Sequence, residues 1–363
     1  MTAFTAVSEY ATIQATVRAL YAQLLSPEAW LDLIQARDYD TFLDLLIKSS
    51  YSPYLKLDRS LLTPRRTAYQ IRWHLADVYA KLIGFSVPRA REVIRQLWHH
   101  YEVDNTKVAL RGVYAGASWD QVLHLLYPMA RYVSVDVDML EAMVRAGTVA
   151  RAIEVLKPTP YYGTLVHALP RFNEEQTLFP LEAALDLSYR RSLWAVIHKL
   201  PQADRNMALT TLGTVLDVDN LLWAIRYRVY HRMSSEEIIN YTLPMGYEVH
   251  DRDIRAIANG APLDQVVFRV YPQVRAQVGG ASLETGEGLE RLEESLLLMH
   301  IKRCRRMFVG SPFHIGLPLA YVWLSEYEIR DLTVIIEAKS MGLARESFEP
   351  LLLMPKSMSV AVG

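Results

Sequence analysis

The sequence predicts an all-α protein built from three divergent helical-bundle repeats. Three observations lead there. Apolar residues recur at helical spacing along nearly the whole chain. Glycine is scarce, 16 in 363 residues, about 4% against a usual level of about 7%. Three stretches of about 100 residues each share one pattern, the signature of repeated supersecondary units.

Taken in order, the chain opens with a helix in residues 1–29. Ile13, Val17, Leu20, Tyr21 and Leu24 fall at steps of four, three, one and three, on one helical face. The first repeat, 30–128, starts with WLDLIQARDYDTFLDLLIKSSYSPYL (Trp30–Leu55). The second, 138–244, starts with LEAMVRAGTVARAIEVLKPTPYYGTL (Leu140–Leu165). At a constant offset of 110, Ile34 meets Val144, Leu46 meets Leu156 and Tyr51 meets Tyr161. The third, 252–355, keeps the pattern loosely around Asp253–Tyr271 and again ends the apolar run in Tyr-Pro.

Helix-length segments follow at Thr67–Ile83, Leu181–Lys199 and Leu289–Phe308. Then come Pro88, Pro201 and Pro312, residues suited to a first helical turn. Each should open a long helix carrying a polar motif. Asp104-Asn105 is followed by Arg111, and Asp219-Asn220 by Arg226. In the third repeat Asp331 takes the Asn place, preceded by Glu326 and Arg330. Pro128, Pro244 and Pro355 then lie 23, 24 and 24 residues beyond Asn105, Asn220 and Asp331. Between motif and proline, Ser118 with Gln121 and Ser234 with Glu237 fit capping boxes. Arg345 holds that place in the third repeat, so its cap is lost. The glycines of Val278–Leu289 read as a loop.

Composition narrows the function. The chain is 51% apolar and 22% charged, with 39 Lys plus Arg against 40 Asp plus Glu, a formal charge of −1. That balance excludes a globally basic nucleic-acid binder. The single cysteine, Cys304, excludes an internal disulfide or a multi-cysteine zinc site. The longest apolar run, Phe313–Leu324, is too short to span a bilayer, and the N-terminus lacks the charged-then-apolar order of a signal peptide. A cytoplasmic location is expected.

Catalytic and cofactor signatures are missing. Gly279–Gly288 has no preceding strand and no GK[ST] ending, so it is no phosphate loop. His99 and His100 point about 100° apart on a helix, too divergent to share one ion with Glu102 and Asp104. No G-x-S-x-G elbow is present. We therefore expect no catalytic residue, cofactor or metal. The repeated Asp104, Asn105, Arg111, Asp219, Asn220 and Arg226, with Glu326, Arg330 and Asp331, read either as structural groups that satisfy backbone and carboxylates or as equivalent partner contacts. The dense basic run Lys302, Arg303, Arg305 and Arg306 reads either as a solvated face balanced by Glu290, Glu293 and Glu294 or as a patch docking an acidic protein or lipid headgroups.

SPFHIGLPLAYVWLSEYEIRDLTVIIEAKSMGL (Ser311–Leu343) resembles the C-terminal motif of the C subunits of archaeal and bacterial A/V-type rotary ATPases, a family that includes the d subunit of the eukaryotic V-ATPase. Gly316 before Pro318-Leu-Ala-Tyr321, then Glu326-Tyr-Glu-Ile-Arg330, then Ile335-Ile-Glu-Ala338 carry the likeness, with the paired Asp-Asn motifs and the opening helix. Asp331 stands where that family commonly has Asn. The resemblance implies three bundles around a pseudo-threefold axis, as a funnel. It implies a non-catalytic rotor subunit, peripheral on the membrane, that links the central-stalk subunits to the proteolipid rotor ring and transmits torque. A helical-repeat adaptor for a protein partner, or an enzyme assembled from dispersed residues such as His198, Glu237 and Cys304, are the other readings open to the sequence.

Overall fold

The computed structural model describes residues 3–129 and 131–359; residues 1 and 2 of the expected N-terminal segment lie outside them. Helix accounts for 74% of the chain and no strand occurs among the described residues.

The helices are α1 (Ala3–Tyr21), α2 (Pro27–Gln35), α3 (Tyr39–Leu46), α4 (Pro64–Ile71), α5 (Trp73–Phe85), α6 (Pro88–Ala115) and α7 (Trp119–Leu123). Next come α8 (Val137–Arg145), α9 (Val149–Val155), α10 (Tyr162–Glu175), α11 (Phe179–His198), α12 (Gln202–Ala208), α13 (Thr214–Val229) and α14 (Ser235–Asn240). The remainder are α15 (Asp251–Ala258), α16 (Leu263–Val270), α17 (Arg275–Val278), α18 (Gly286–Arg306), α19 (Gly316–Ser340), α20 (Arg345–Phe348) and α21 (Leu353–Ser359). One order recurs: two short helices (α2–α3, α8–α9, α15–α16), two connecting helices (α4–α5, α10–α11, α17–α18), a long helical run (α6, α12–α13, α19), then a short helix (α7, α14, α20).

Local chemistry sets the helix starts. Ser26, Asp38, Thr63, Asp136 and Thr148 each accept from a backbone N–H of the first turn, which removes an otherwise unpaired donor. Pro27, Pro64 and Pro88 occupy first-turn positions. The capping box at α14 is complete: Ser234 Oγ accepts from Glu237 N–H at 3.3 Å and Glu237 Oε2 from Ser234 N–H at 3.0 Å. At α7 the Gln121 carboxamide oxygen accepts from Ser118 N–H at 2.9 Å. Ala344 stands at the N-cap of α20 with no side-chain cap.

Pro201 leads into α12, and a π turn over Leu209–Gly213 joins α12 to α13. From its first helical residue this run reaches Asn220 in 18 residues, whereas α6 reaches Asn105 in 17. The π turn takes up the extra residue, so the polar motif keeps its register downstream. Three helix expectations change. The opening helix, expected to run to residue 29, ends at Tyr21, and α2 starts separately at Pro27 behind its Ser26 cap. The Thr67–Ile83 segment is two helices, α4 and α5, because at Arg72 the hydrogen bonds tighten to i→i+3, Arg72 N–H to Tyr69 O and Leu75 N–H to Arg72 O. Pro312 does not open a helix: α19 begins at Gly316 and holds Pro318 in its first turn. A proline fixes φ for a helix start but forms one only where the following residues continue it.

The chain divides into two compact units, one of Arg18–Val196 with Ser325–Leu352, the other of Met1–Val17, Ile197–Leu324 and Leu353–Gly363. The first is packed around Trp30, Phe42, Ile71, Val93 and Ile94, all nearly inaccessible. An aromatic cluster joins α5 and α6: Tyr79 to Trp98 at 4.7 Å between centroids, Trp98 to Tyr101 at 5.2 Å, and Tyr101 to Tyr127 at 4.5 Å. Within this unit Lys339 donates to Ile34 O at 3.0 Å and to Ala36 O. A cation there satisfies the free carbonyls at the C-terminus of α2.

The second unit buries Leu212, Leu221, Ile225, Ile257, Val267, Leu292, Leu296 and Leu317. Gln202–Val229 is, among the described residues, long and apolar enough to cross a membrane, but 72% of its most apolar window is buried inside the protein. It is the central helix of this unit's core.

Candidate functional site

The two repeated asparagines make the same contact. Asn105 Nδ2 donates to Tyr127 O at 2.9 Å and its Oδ1 accepts from Tyr127 N–H at 2.7 Å. Asn220 Nδ2 donates to Leu243 O at 3.0 Å and its Oδ1 accepts from Leu243 N–H at 2.7 Å. Tyr127 and Leu243 each precede a proline, Pro128 and Pro244. The carboxamide pairs with both polar groups of one peptide residue, as a neighbouring strand would. The near-equal spacing from Asn to Pro, 23 and 24 residues, therefore measures a clamp at Asn105 and at Asn220. Both asparagines are almost wholly buried.

Three residues before each motif position lies a buried acid that sequence reasoning passed over: Glu102, Asp217 and Glu328, each 1% exposed or less. Glu102 accepts from Ser134 N–H at 2.5 Å and from the Tyr161 hydroxyl at 2.6 Å. Asp217 accepts from Tyr247, Glu248 and Val249 N–H at 2.8, 2.5 and 3.0 Å, and from the Tyr271 hydroxyl at 3.3 Å. Glu328 accepts from Leu25 N–H at 2.8 Å and from the Tyr51 hydroxyl at 2.9 Å. Each acid thus holds the backbone just ahead of a short-helix pair (α2, α8 or α15) and the tyrosine that follows that pair. Gly246 makes room for the second of these: a Cβ there would lie 1.9 Å from Val249 O and 2.6 Å from Asp217 Oδ1.

Burial governs the ionisation of these groups. It raises the Glu102 carboxyl against the hydrogen bonds from Tyr161 and the Ser134 and Val135 amides. It lifts Asp217 to about 6 despite three amide donors. Desolvation, reinforced by the adjoining acid, also holds the Tyr161 and Tyr271 hydroxyls far above their ordinary range, so both stay donors at any physiological pH.

The remaining sequence candidates are spread over both units. Asp104 pairs with Lys107 at 2.9 Å and His100 at 3.2 Å, and Lys107 reaches Asp186 at 2.9 Å. Arg111 forks onto Glu182 at 2.6 and 2.8 Å. Arg226 binds Glu293 at 2.6 Å. Asp219 is half-buried on α13. Arg330, at the surface, donates to buried Asp331 at 2.7 Å and to Leu351 O at 3.2 Å. Glu326 accepts from the Tyr79 hydroxyl at 3.1 Å. Burial pushes its carboxyl up to about 7, against Tyr101, His100 and Tyr79, while Asp104 adds to the rise.

The basic run divides. Arg303 turns inward, forking onto Glu248 at 2.6 and 3.0 Å and reaching Thr214 Oγ1 at 2.6 Å. Arg305 donates to Ser357 Oγ at 3.2 Å. Arg306 is exposed and Lys302 half-buried. Two of the three balancing acids named from sequence are engaged elsewhere, Glu293 with Arg226 and Glu294 with Lys356, and Glu290 is exposed. Cys304 is buried with its Sγ 3.4 Å from His300 Nε2, and burial takes that imidazole down to about 3. No group of three metal-ligating side chains occurs among the described residues.

The arrangement is that of an all-helical protein whose buried Asn and acid side chains are spent on joining segment to segment. A profile of the ATP synthase (C/AC39) subunit family matches residues 13–350, and the chain belongs to that family. It is 23% identical to the C subunit of the A-type ATP synthase of Methanocaldococcus jannaschii over 351 residues, 96% of this chain and 87% of that protein. It is 24% identical to the protein of the same name from Methanothermobacter thermautotrophicus over 334 residues, 91% of this chain and 84% of that one. For the Methanosarcina acetivorans protein, also so named, the identity is 25% over 342 residues, 93% of this chain and 91% of that one.

Proposed function

We propose that this chain is the non-catalytic coupling subunit of an A/V-type rotary ATPase, set between the central stalk and the membrane rotor ring. It would lie on the cytoplasmic side, peripheral to the membrane, and pass torque from one to the other. The observation that carries this reading is the connectivity of the three acid–tyrosine latches. The acid of the first repeat, Glu102, holds Tyr161 of the second. The acid of the second, Asp217, holds Tyr271 of the third. The acid of the third, Glu328, holds Tyr51 of the first. Glu328 of the third repeat thus returns to Tyr51 of the first, a closure that an open solenoid would leave unmade. It supports the division into repeats at 30–128, 138–244 and 252–355.

The role makes two physical demands. A torque-bearing part must not absorb the twist it transmits, and buried charge-assisted hydrogen bonds between repeats resist slippage. A ring of many identical subunits meeting a single-copy chain cannot be matched by one repeated contact, so adaptable charged contacts suit that boundary.

The test is co-elution of the purified chain with the matching central-stalk subunits and with detergent-solubilised rotor ring, at moderate and high salt. Binding to both, weakened by salt, is the expected result. Binding to neither by a chain with intact helical circular dichroism would overturn the coupling role and favour a helical-repeat adaptor for another protein.

A further inference from the structure

The turn between α18 and α19 differs from its counterparts. Two residues, Ser86 and Val87, join α5 to α6, and three, Lys199–Pro201, join α11 to α12. Nine, Met307–Ile315, join α18 to α19. At its tip Val309 is 80% exposed, the highest value among the exposed large apolar residues. Gly310 beside it has φ 96° and open space around the position of a Cβ. The tip is therefore a protrusion with nothing packed on it among the described residues. Met307, Phe308, Pro312 and Phe313, half-buried, form its shoulders.

The base of the turn is basic. From His300 to Ile315 there is no Asp or Glu. Arg303 is neutralised by Glu248, but Arg305 meets only a serine hydroxyl. Lys302 and Arg306 form no ion pair among the described residues. Asp204, whose charge acts on His314 in the turn, is 1% exposed and so does not face the surface.

We propose that this turn is a contact for the surface of an anionic lipid bilayer, with Val309 entering the headgroup region and Lys302, Arg305 and Arg306 lying against the lipid phosphates. The contact goes beyond the coupling role, which needs protein partners alone. A convex apolar tip with a collar of uncompensated cations matches a fluid, negatively charged interface, which adapts to any protrusion and rewards both features. A protein partner would need a pocket shaped for one valine at the end of a glycine turn.

The experiment is co-sedimentation of the purified full chain with vesicles of phosphatidylcholine alone and of phosphatidylcholine with phosphatidylglycerol, at low and high salt. Binding should appear with the anionic vesicles and fall with salt. Removing the collar in Lys302→Gln/Arg306→Gln should weaken it by about fivefold per charge. Val309→Ser should weaken it at both salt levels. The side chains of Lys302 and Arg306 make no polar contact among the described residues and that of Val309 is exposed, so these variants should melt like the parent. As a second readout, a fluorophore on Val309→Cys should shift to the blue with anionic vesicles. Equal sedimentation with both vesicle types, or binding indifferent to Val309→Ser and the collar pair, would overturn the proposal. So would an absence of vesicle binding in a chain whose collar variant loses affinity for detergent-solubilised rotor ring, which would assign the patch to a protein.

Discussion

Replacing each latch tyrosine by phenylalanine removes one hydroxyl and nothing else, and the three sites should respond in a set order. A hydrogen bond to a charged acceptor contributes about 1.5–3 kcal/mol, with an added cost when the partner is left buried and short of donors. Tyr161 donates at 2.6 Å, Tyr51 at 2.9 Å, and Tyr271 at 3.3 Å to an acid that keeps three amides. Tyr161→Phe should therefore cost about 2–3 kcal/mol, Tyr51→Phe about 2, and Tyr271→Phe under about 1. A chain of two compact units need not unfold in one step, so a global midpoint alone is a blunt measure. Amide hydrogen exchange reads each latch separately, at Ser134, Leu25 and Val249, whose N–H groups the same acids hold. Exchange at the corresponding amide should accelerate about thirty- to hundredfold for Tyr161→Phe and under about fivefold for Tyr271→Phe. Equal effects at all three sites, or acceleration confined to amides far from the mutated latch, would refute the assignment of these acids as independent joints.

Other outcomes follow from the same geometry. Glu326 has a folded-state carboxyl near 7, raised from 4.5 mainly by burial. A raised acid binds its proton more tightly when folded, so its contribution is most favourable below about pH 4.5 and is lost as pH climbs through 7. Glu326→Gln should match the parent at pH 5 and gain on it by up to about 3 kcal/mol by pH 8, read from urea midpoints; a difference that stays flat with pH would contradict the burial. Asn220→Ala leaves both polar groups of Leu243 buried without their partner, and should destabilise the chain by about 2–4 kcal/mol. Asn220→Asp should cost less, because it still accepts from Leu243 N–H, and an equal loss in both variants would argue against the clamp. Gly246→Ala drives a methyl into Val249 O and should lower the melting temperature more than Gly116→Ala, whose left-handed φ of 66° adds strain but meets no atom within 4 Å.

The fold class was legible because it rests on local chemistry: the helical period, the caps at Ser118 and Ser234 and the prolines at 88 and 201 all act within a few residues. The asparagine clamps were half legible. Their spacing to Pro128 and Pro244 stood in the sequence, but that spacing does not say that Asn105 meets Tyr127 rather than a partner. The buried acids were missed because Glu102 stands among His99, His100 and Asp104, where a charged residue reads as a solvated or metal-seeking group. The available signal was the acid three places before the motif in all three repeats, Glu102, Asp217 and Glu328. The partner of Arg303 was beyond sequence reasoning. Glu248 lies 55 residues away, and loops bring together charges that helical spacing cannot relate.

The latch between Glu328 and Tyr51 spans 277 residues, and this separation has a consequence in time. A ribosome adds about 5–20 residues per second, so Tyr51 emerges roughly 15–55 s before the acid that will hold it, at those elongation rates. Glu102 and Asp217 meet their tyrosines after only 59 and 54 residues. During synthesis the first repeat therefore waits with its entry peptide at Leu25 and its tyrosine unclaimed, while the two later joints close behind it. That interval is when the nascent chain is most exposed to mispairing with α19 of a neighbouring chain. A pause or a bound chaperone would matter most there.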